Sequence, residues 1–387
     1  MEQTIAAGAD NLPSSGTVAR APEARFTKMP GVGEPAPWFH AATPDNPRFS
    51  FDTVAGRRVV LSFFGDMRES ELRQLLMQMQ AVAPAFTAAG CVFFGVSTSH
   101  GNSHAELVKE ILPDGYLFLD RDRSVSQAYG VAFSDENQVA YRPASFLMDE
   151  RLRITDVAPM TSNAPALHIQ RLVQALHALP AMELEQAVGV PAPVLIVPRV
   201  FEPDMCQTLI NYYQREGGEA SGFMRDVNGR TVLVHDPRHK TRRDRIIEDT
   251  ALRTACRNRI HHCLVPEIAK AFQFTATRIE RYLVACYEAE DAGHFRPHRD
   301  NTTLGTAHRR FAVSLNLNTG DYQGGLLRFP EFGRQLYQAP AGGAVVFSCS
   351  LLHEATPVTS GQRYAFLPFL YDDAAAELRE RNRKFIE

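Results

Sequence analysis

The chain has 387 residues, 44% hydrophobic and 22% charged, with a formal charge of −3. That length exceeds one ordinary core and predicts two domains, while the mild acidity argues against general attraction to nucleic acid or anionic membrane. No apolar run reaches the roughly 18 residues of a bilayer span, and the N-terminus MEQTIAAGADNLPSSGTVAR lacks a signal-peptide core, so the expected location is cytoplasmic.

Residues 1–30 mix Ala, Gly, Ser and Pro without periodicity and read as a flexible arm. A first domain is expected over 31–180. Val59-Val-Leu-Ser-Phe-Phe64 reads as a buried strand, Glu69 to Phe86 as an amphipathic helix, and Cys91 to Ser97 as a second buried strand, which together make a crossover unit. Next come a helix at His104 to Leu112, a strand at Tyr116 to Leu119, a helix at Ser124 to Tyr129, strands at Ser145 to Met148 and Leu152 to Val157, and a closing helix from Ala164 to Leu179. That alternation predicts an α/β layer with a mixed sheet.

The segment 181–195 is bounded by prolines and reads as an interdomain linker. In the second domain, 196–387, Pro203 to Gly217 and Glu248 to Phe272 read as helices. From Ile279 onward, short apolar runs alternate with turn signals such as Asn318-Thr-Gly-Asp and Pro340-Ala-Gly-Gly, predicting an antiparallel sandwich or barrel. The six cysteines are scattered, form no CxxC pair, and read as reduced, buried thiols.

His298-Arg-Asp300 sets an imidazole and a carboxylate two residues apart, on one face of a strand. A second imidazole, His353, lies 53 residues beyond Asp300, enough chain for antiparallel strands to return beside the first. Two histidines and one carboxylate form the facial triad associated with non-haem Fe(II) oxygenases. An isolated HxD is a weak signal, but its surroundings are ordered. Tyr287, Gly293, Phe295, His298 and Asp300 are followed by Gly324-Gly-Leu-Leu-Arg-Phe-Pro330, Pro340-Ala-Gly-Gly-Ala-Val-Val-Phe347, His353-Glu-Ala-Thr-Pro-Val358 and Gly361-Gln-Arg-Tyr-Ala365.

Across about Phe201 to Asp373 this resembles the prolyl 4-hydroxylase family of 2-oxoglutarate oxygenases, particularly its oxygen-sensing branch. The resemblance implies a double-stranded β-helix (jelly-roll, α+β) that binds Fe(II) through His298, Asp300 and His353. It further implies 2-oxoglutarate and O2 as cosubstrates, with ascorbate as a candidate reductant. Oxidative decarboxylation to succinate and CO2 would be coupled to hydroxylation of an unactivated C–H bond. Arg363, ten residues past His353, is the implied partner of the far carboxylate, which a guanidinium can grip with two hydrogen bonds. Tyr287 matches a family tyrosine that donates to the same carboxylate. A second family tyrosine falls at Asn316, a departure in which an amide would replace the phenol as donor.

Three other features allow two readings each. Arg238-His-Lys-Thr-Arg-Arg-Asp-Arg245 is densely basic, but Asp236, Asp244, Glu248 and Asp249 interrupt it, so a solvated loop is expected rather than a nucleic-acid surface. Arg296, Arg299, Arg309 and Arg310 either meet an acidic substrate or are surface charge. His261-His262 has poor ligand spacing, since neighbours on a helix diverge by about 100°.

The first half, from about Gly33 to Leu179, is similar to the peroxiredoxin and thioredoxin-like superfamily. The similarity rests on Gly33-Glu-Pro-Ala-Pro37, Gly95-Val-Ser-Thr-Ser99, Asp120-x8-Tyr129-Gly-Val and Arg142-Pro-Ala-Ser-Phe-Leu-Met-Asp149, with Pro143 at the position of the family's cis-proline. A peroxiredoxin needs a thiolate at the start of the helix after the first core strand. Here that segment is Phe64-Gly-Asp-Met-Arg-Glu-Ser70, with no cysteine, and the half's one cysteine, Cys91, opens a strand. The domain is therefore expected to have lost thiol chemistry and to serve as scaffold, docking module or homo-oligomer contact.

The leading expectation is a hydroxylase acting on a peptide or protein side chain, proline first. The alternatives are a small-molecule hydroxylase, an iron-binding sensor or scaffold with weak turnover, and a thiol peroxidase using Cys91.

Overall fold

The computed structural model describes residues 26–134, 139–160, 164–181 and 189–386. Most of the predicted arm, 1–25, and residues 182–188 of the predicted linker lie outside the described residues. Phe26 already belongs to the first domain, with its ring 6.2 Å from that of Phe133 and the Arg142 guanidinium 4.3 Å above it. Among the described residues no helix is long and apolar enough to cross a membrane.

The first domain is a thioredoxin-like α/β layer. Strands β1 (Arg58–Gly65), β2 (Cys91–Ser97), β3 (Tyr116–Leu119), β4 (Ala144–Met148) and β5 (Ile154–Pro159) form one sheet in the order β3-β2-β1-β4-β5. The pairs β1–β2 and β2–β3 are parallel, while β4 and β5 run antiparallel to their neighbours. Every residue of β1 is buried, as its largely apolar sequence requires when helices or loops cover both faces of a sheet. On one face α1 (Glu69–Ala88), α2 (Ser103–Ile111) and α4 (Pro165–His177) supply Leu72, Leu76, Leu107 and Leu172. The other face carries an aromatic cluster of Phe51, Phe63, Phe94, Phe118, Tyr129 and Phe146, around the short α3 (Ser124–Ala128). The described residues contain no cis peptide bond, so Pro143 does not take the isomer its family position suggests.

The second domain is a double-stranded β-helix of two facing antiparallel sheets. The major sheet runs β6 (Leu195–Val197), β18 (Ala344–Ser348), β15 (Phe311–Asn316), β20 (Gln362–Phe366), β13 (Leu283–Glu288), β11 (Arg243–Ile246), β7 (Glu219–Ala220). Strand β21 (Phe369–Tyr371) pairs with the start of β15 and carries β12 (Arg278–Glu280). The minor sheet runs β10 (Lys240–Thr241), β14 (His294–His298), β19 (His353–Ala355), β16 (Leu327–Arg328), β17 (Leu336–Tyr337). The hairpin of β8 (Phe223–Val227) and β9 (Arg230–Val234) stands at the cavity mouth.

Strand periodicity sorts the major sheet into two faces. Val313 and Leu315 of β15, Val284 and Cys286 of β13, and Tyr364 and Phe366 of β20 pack outward against Leu209 of α5 (Pro203–Glu216), Cys256 of α6 (Thr250–Arg259) and Ile268 of α7 (Val265–Phe272). The alternate residues Ser314, Asn316, Tyr287 and Arg363 face the interior between the sheets. The expected single helix from Glu248 to Phe272 is broken by a π turn at Ile260–Leu264. Pro266 follows that turn and has no N–H for an i to i−4 bond, which accounts for the interruption.

The domains meet around Arg153, a fully buried side chain of the first. Its guanidinium donates to Gly33 O at 2.5 Å, to Arg199 O and Cys263 O at 3.4 Å, and to Pro198 O. Gly33 has φ +82°, and a Cβ there would lie 2.1 Å from Arg199 O, so only glycine allows this approach.

Candidate metal centre

Strands β14 and β19 place His298 directly opposite His353, and Asp300 follows two residues beyond the end of β14. One ligand atom from each of the three lies within 4.8 Å of the others. His298 Nε2 is 3.6 Å from one Asp300 carboxylate oxygen and His353 Nε2 is 3.3 Å from the other. Both imidazoles are oriented from behind: Nδ1 of His298 is 2.7 Å from Arg296 O, and Nδ1 of His353 is 3.0 Å from Leu351 O. A carbonyl can only accept, so each Nδ1 carries the proton and each Nε2 lone pair is free for a cation.

Aromatic rings fix the imidazole planes, Phe295 stacking on His298 at 3.5 Å and Phe347 lying 4.5 Å from His353. Burial, together with the His298 charge, outweighs the attraction of Asp300 and pushes the His353 pKa down to about 4, leaving a neutral imidazole at neutral pH. Burial would raise the Asp300 pKa, but the facing His353 and His298 hold it well below the usual carboxylate range. Two imidazoles with Nε2 turned toward the cavity and one carboxylate from the same wall suit a divalent transition ion with open positions on its other side.

The cavity between the sheets has a volume of 1170 Å³. On its opposite wall, Arg363 of β20 pairs across the ladder with Tyr287 of β13, its guanidinium 5.1 Å from that ring. Arg363 is 2% exposed and donates to Ser314 Oγ at 2.7 Å and Asn316 Oδ1 at 3.0 Å. Its Nε has no partner, and among the described residues no carboxylate pairs with it. A buried cation held only by neutral oxygens invites an anion. Asn316 is engaged on both sides of its amide. Its amide nitrogen gives to Ala339 O at 3.1 Å and its oxygen accepts from Arg363, which helps hold the guanidinium in place.

Gly325 protects this arrangement. It has φ +65°, and a Cβ would come within 2.8 Å of Val358 Cγ2 and 3.0 Å of Arg363 Cδ. Gly325→Ala is expected to weaken an anion held by Arg363 on the order of 10-fold through backbone strain of about 1–2 kcal/mol and a displaced guanidinium, read by titration with a dicarboxylate such as 2-oxoglutarate. Unchanged affinity would show that Arg363 adjusts freely.

The basic stretch 238–245 is not a solvated loop. It supplies strands β10 and β11, and Lys240 and Arg242 are buried and line the cavity. Arg242 pairs with Asp244 at 2.5 Å and reaches the Tyr287 hydroxyl at 3.4 Å. Lys240 donates to Ser221 Oγ at 2.7 Å, and burial next to Arg242 pushes its pKa well below the ordinary lysine value. The sequence signal was the alternation of Lys240, Arg242 and Asp244 at every second position. Of the other arginines, Arg309 lines the cavity and forms a two-point pair with Glu280 at 2.6 and 2.9 Å, and Arg299 pairs with Glu331 at 2.7 Å. Arg296 donates to Arg238 O, and Arg310 to Ala307 O. His261 and His262 lie in the π turn, away from the cluster.

In the first domain, the turn between β1 and α1 carries Asp66 and Met67 where a reactive thiol would stand. Cys91 is buried, and desolvation pushes its pKa up to about 12, so it is a protonated thiol at neutral pH. Cys91→Ser is expected to leave any peroxide consumption unchanged in a depletion assay. Loss of consumption in that variant would restore the thiol peroxidase alternative.

Residues 282–371 match the 2OG-Fe(II) oxygenase superfamily, and residues 32–157 match the AhpC/TSA family. A PKHD-type hydroxylase of Synechococcus sp. (strain JA-2-3B'a(2-13)) is 36% identical over 93 residues, which are 22% of this chain and 41% of that protein. The chain thus spans about two fifths of that hydroxylase's length. A putative peroxiredoxin bcp of Coxiella burnetii is 26% identical over 133 residues, 33% of this chain and 87% of that protein. Among solved structures, a prolyl hydroxylase from Trichoplax adhaerens, in complex with a hypoxia inducible factor peptide fragment, aligns with TM-score 0.38 at 18% identity, covering 48% of this chain and 86% of that one.

Proposed function

We propose that the second domain is an Fe(II)- and 2-oxoglutarate-dependent dioxygenase that hydroxylates an unactivated C–H bond, in a peptidyl or prolyl-type substrate as first choice. The observation that carries this reading is the pairing of two half-sites across one cavity. His298, Asp300 and His353 are prepared for a divalent ion on one sheet, and the uncompensated Arg363 cation faces them from the other. Similarity to the 2OG-Fe(II) oxygenase superfamily over 282–371 supports the same class.

In this reading His298 Nε2, His353 Nε2 and an Asp300 oxygen hold Fe(II), with Arg296 O and Leu351 O fixing the imidazole tautomers. Arg363 takes the distal carboxylate of 2-oxoglutarate, Tyr287 flanks it, and Ser314 and Asn316 keep the guanidinium in place. When bound, Fe(II) supplies O2 activation coupled to decarboxylation of the cosubstrate to succinate and CO2. The rings of Phe295 and Phe347 limit water around the imidazoles. The first domain contributes no thiol and acts as scaffold through the Arg153 junction.

The test is an anaerobic titration of metal-free protein with Fe(II) and 2-oxoglutarate, followed by succinate measurement on admitting air with ascorbate. A visible metal-to-cosubstrate charge-transfer band followed by succinate formation is expected. Bound iron without the band would refute the chelate and leave an iron-binding scaffold.

A further inference from the structure

The chain as a whole is acidic, yet basic residues outnumber acidic ones along the cavity wall. Several of these charges are already matched. Arg242 has Asp244, Arg309 has Glu280, and Arg299 has Glu331. If 2-oxoglutarate binds as proposed above, its two negative charges are met by Arg363 and by the net single positive charge of Fe(II) with Asp300. Of the other lining guanidiniums without a carboxylate partner among the described residues, Arg225, Arg253 and Arg379 are exposed, whereas Arg281 is partly buried.

Arg281 is partly buried and lines the cavity. Its Nε donates to Leu367 O at 3.1 Å, and its guanidinium lies 4.3 Å from the centroid of the Phe369 ring. Arg309 approaches the same ring at 4.0 Å and also reaches Asp300 O at 3.4 Å, which places Arg281 on the metal's side of the chamber. Among the described residues no carboxylate lies within 4.0 Å of Arg281. The backbone there is strained, with φ +56° at a non-glycine residue between β12 and β13. Such strain persists where surrounding structure imposes it, and it recurs at ligand sites. Burial, with the neighbouring Arg309 and Arg242 charges, pushes the Arg281 pKa down to about 10, so it remains a cation at neutral pH.

We propose that Arg281 receives a carboxylate of the substrate, so that the molecule hydroxylated is an acid whose anionic group docks beside Phe369. This rests on the dioxygenase reading for the chemistry, but the anion subsite itself does not require metal. A guanidinium on an aromatic face, with one edge held by a carbonyl, presents its remaining N–H groups to a planar two-oxygen acceptor.

Calorimetry on the full chain tests it, once without metal and once holding Zn(II) and one equivalent of 2-oxoglutarate. The probes are N-acetylated proline, alanine, glutamate and phenylalanine and the corresponding amides. At least one acid is expected to bind ten-fold or more tightly than its amide. Arg281→Leu should erase that preference while leaving 2-oxoglutarate affinity unchanged, and Arg281→Lys should keep part of it. The proposal is overturned if no acid binds, if acids and amides bind alike, if Arg281→Leu keeps the preference, or if a second 2-oxoglutarate fills the subsite. Failure of the dioxygenase reading would register separately, as a missing charge-transfer band in the wild-type chain.

Discussion

Replacing His353 with alanine is expected to abolish iron-dependent succinate formation and to remove the visible band of the Fe(II)–2-oxoglutarate chelate. His353 is buried, its Nδ1 is committed to Leu351 O, and its Nε2 lies 3.3 Å from Asp300. Nothing else in the described cluster can take its place, because His298 and Asp300 already supply the other two donors. Loss of outer partners of metal ligands alone costs about 10–100-fold in affinity, so loss of a ligand should exceed about 100-fold for Fe(II). His298→Ala should behave alike. The fold should survive, since the deleted ring borders an open cavity. Far-ultraviolet circular dichroism can confirm this, and full turnover in either variant would reject the ligand set.

Arg363→Leu should leave Fe(II) binding largely intact and weaken 2-oxoglutarate on the order of 100-fold. Charge-assisted hydrogen bonds contribute about 1.5–3 kcal/mol each, and a two-point grip approaches or exceeds the 2.7 kcal/mol that corresponds roughly to a factor of 100. Leucine keeps much of the aliphatic stem beside Gly325 and Tyr287 while removing the charge. The separation of the two affinities is the diagnostic, measured by Fe(II) titration with and without cosubstrate. Unchanged 2-oxoglutarate affinity would transfer the anchor to another guanidinium lining the cavity, such as Arg242.

Much of this architecture was legible in the sequence because the strands are strongly patterned. Val59 to Phe64 is apolar except for Ser62 and forms a strand buried on both faces. Ser314-Leu-Asn316 alternates polar and apolar, and it divides its side chains between cavity and helix layer. The positions His298, Asp300, His353 and Arg363 could be singled out because they sit among glycines and aromatics at fixed spacings. What escaped was polar burial. Lys240 and Arg242 look like surface charge when composition is counted, since the cost of burying them is offset by partners distant in sequence, such as Ser221 and Tyr287. The contacts of Asn316 were likewise hidden, because those to Ala339 and Arg363 appear only once two strands and the loop before β18 are assembled. The π turn at Ile260–Leu264 left a local trace in Pro266, but the hydrophobic period continues through it.

The Arg153 junction bears on the order in which the molecule is made. The redoxin-like half leaves the ribosome first and contains a complete sheet and two covered faces, so it can fold before the rest is synthesised. It then holds out a guanidinium whose acceptors, Pro198 O, Arg199 O and Cys263 O, belong to chain not yet made. As that chain emerges, its helical layer gathers around a cation already in position, and the sheet carrying Arg363 packs against the same layer.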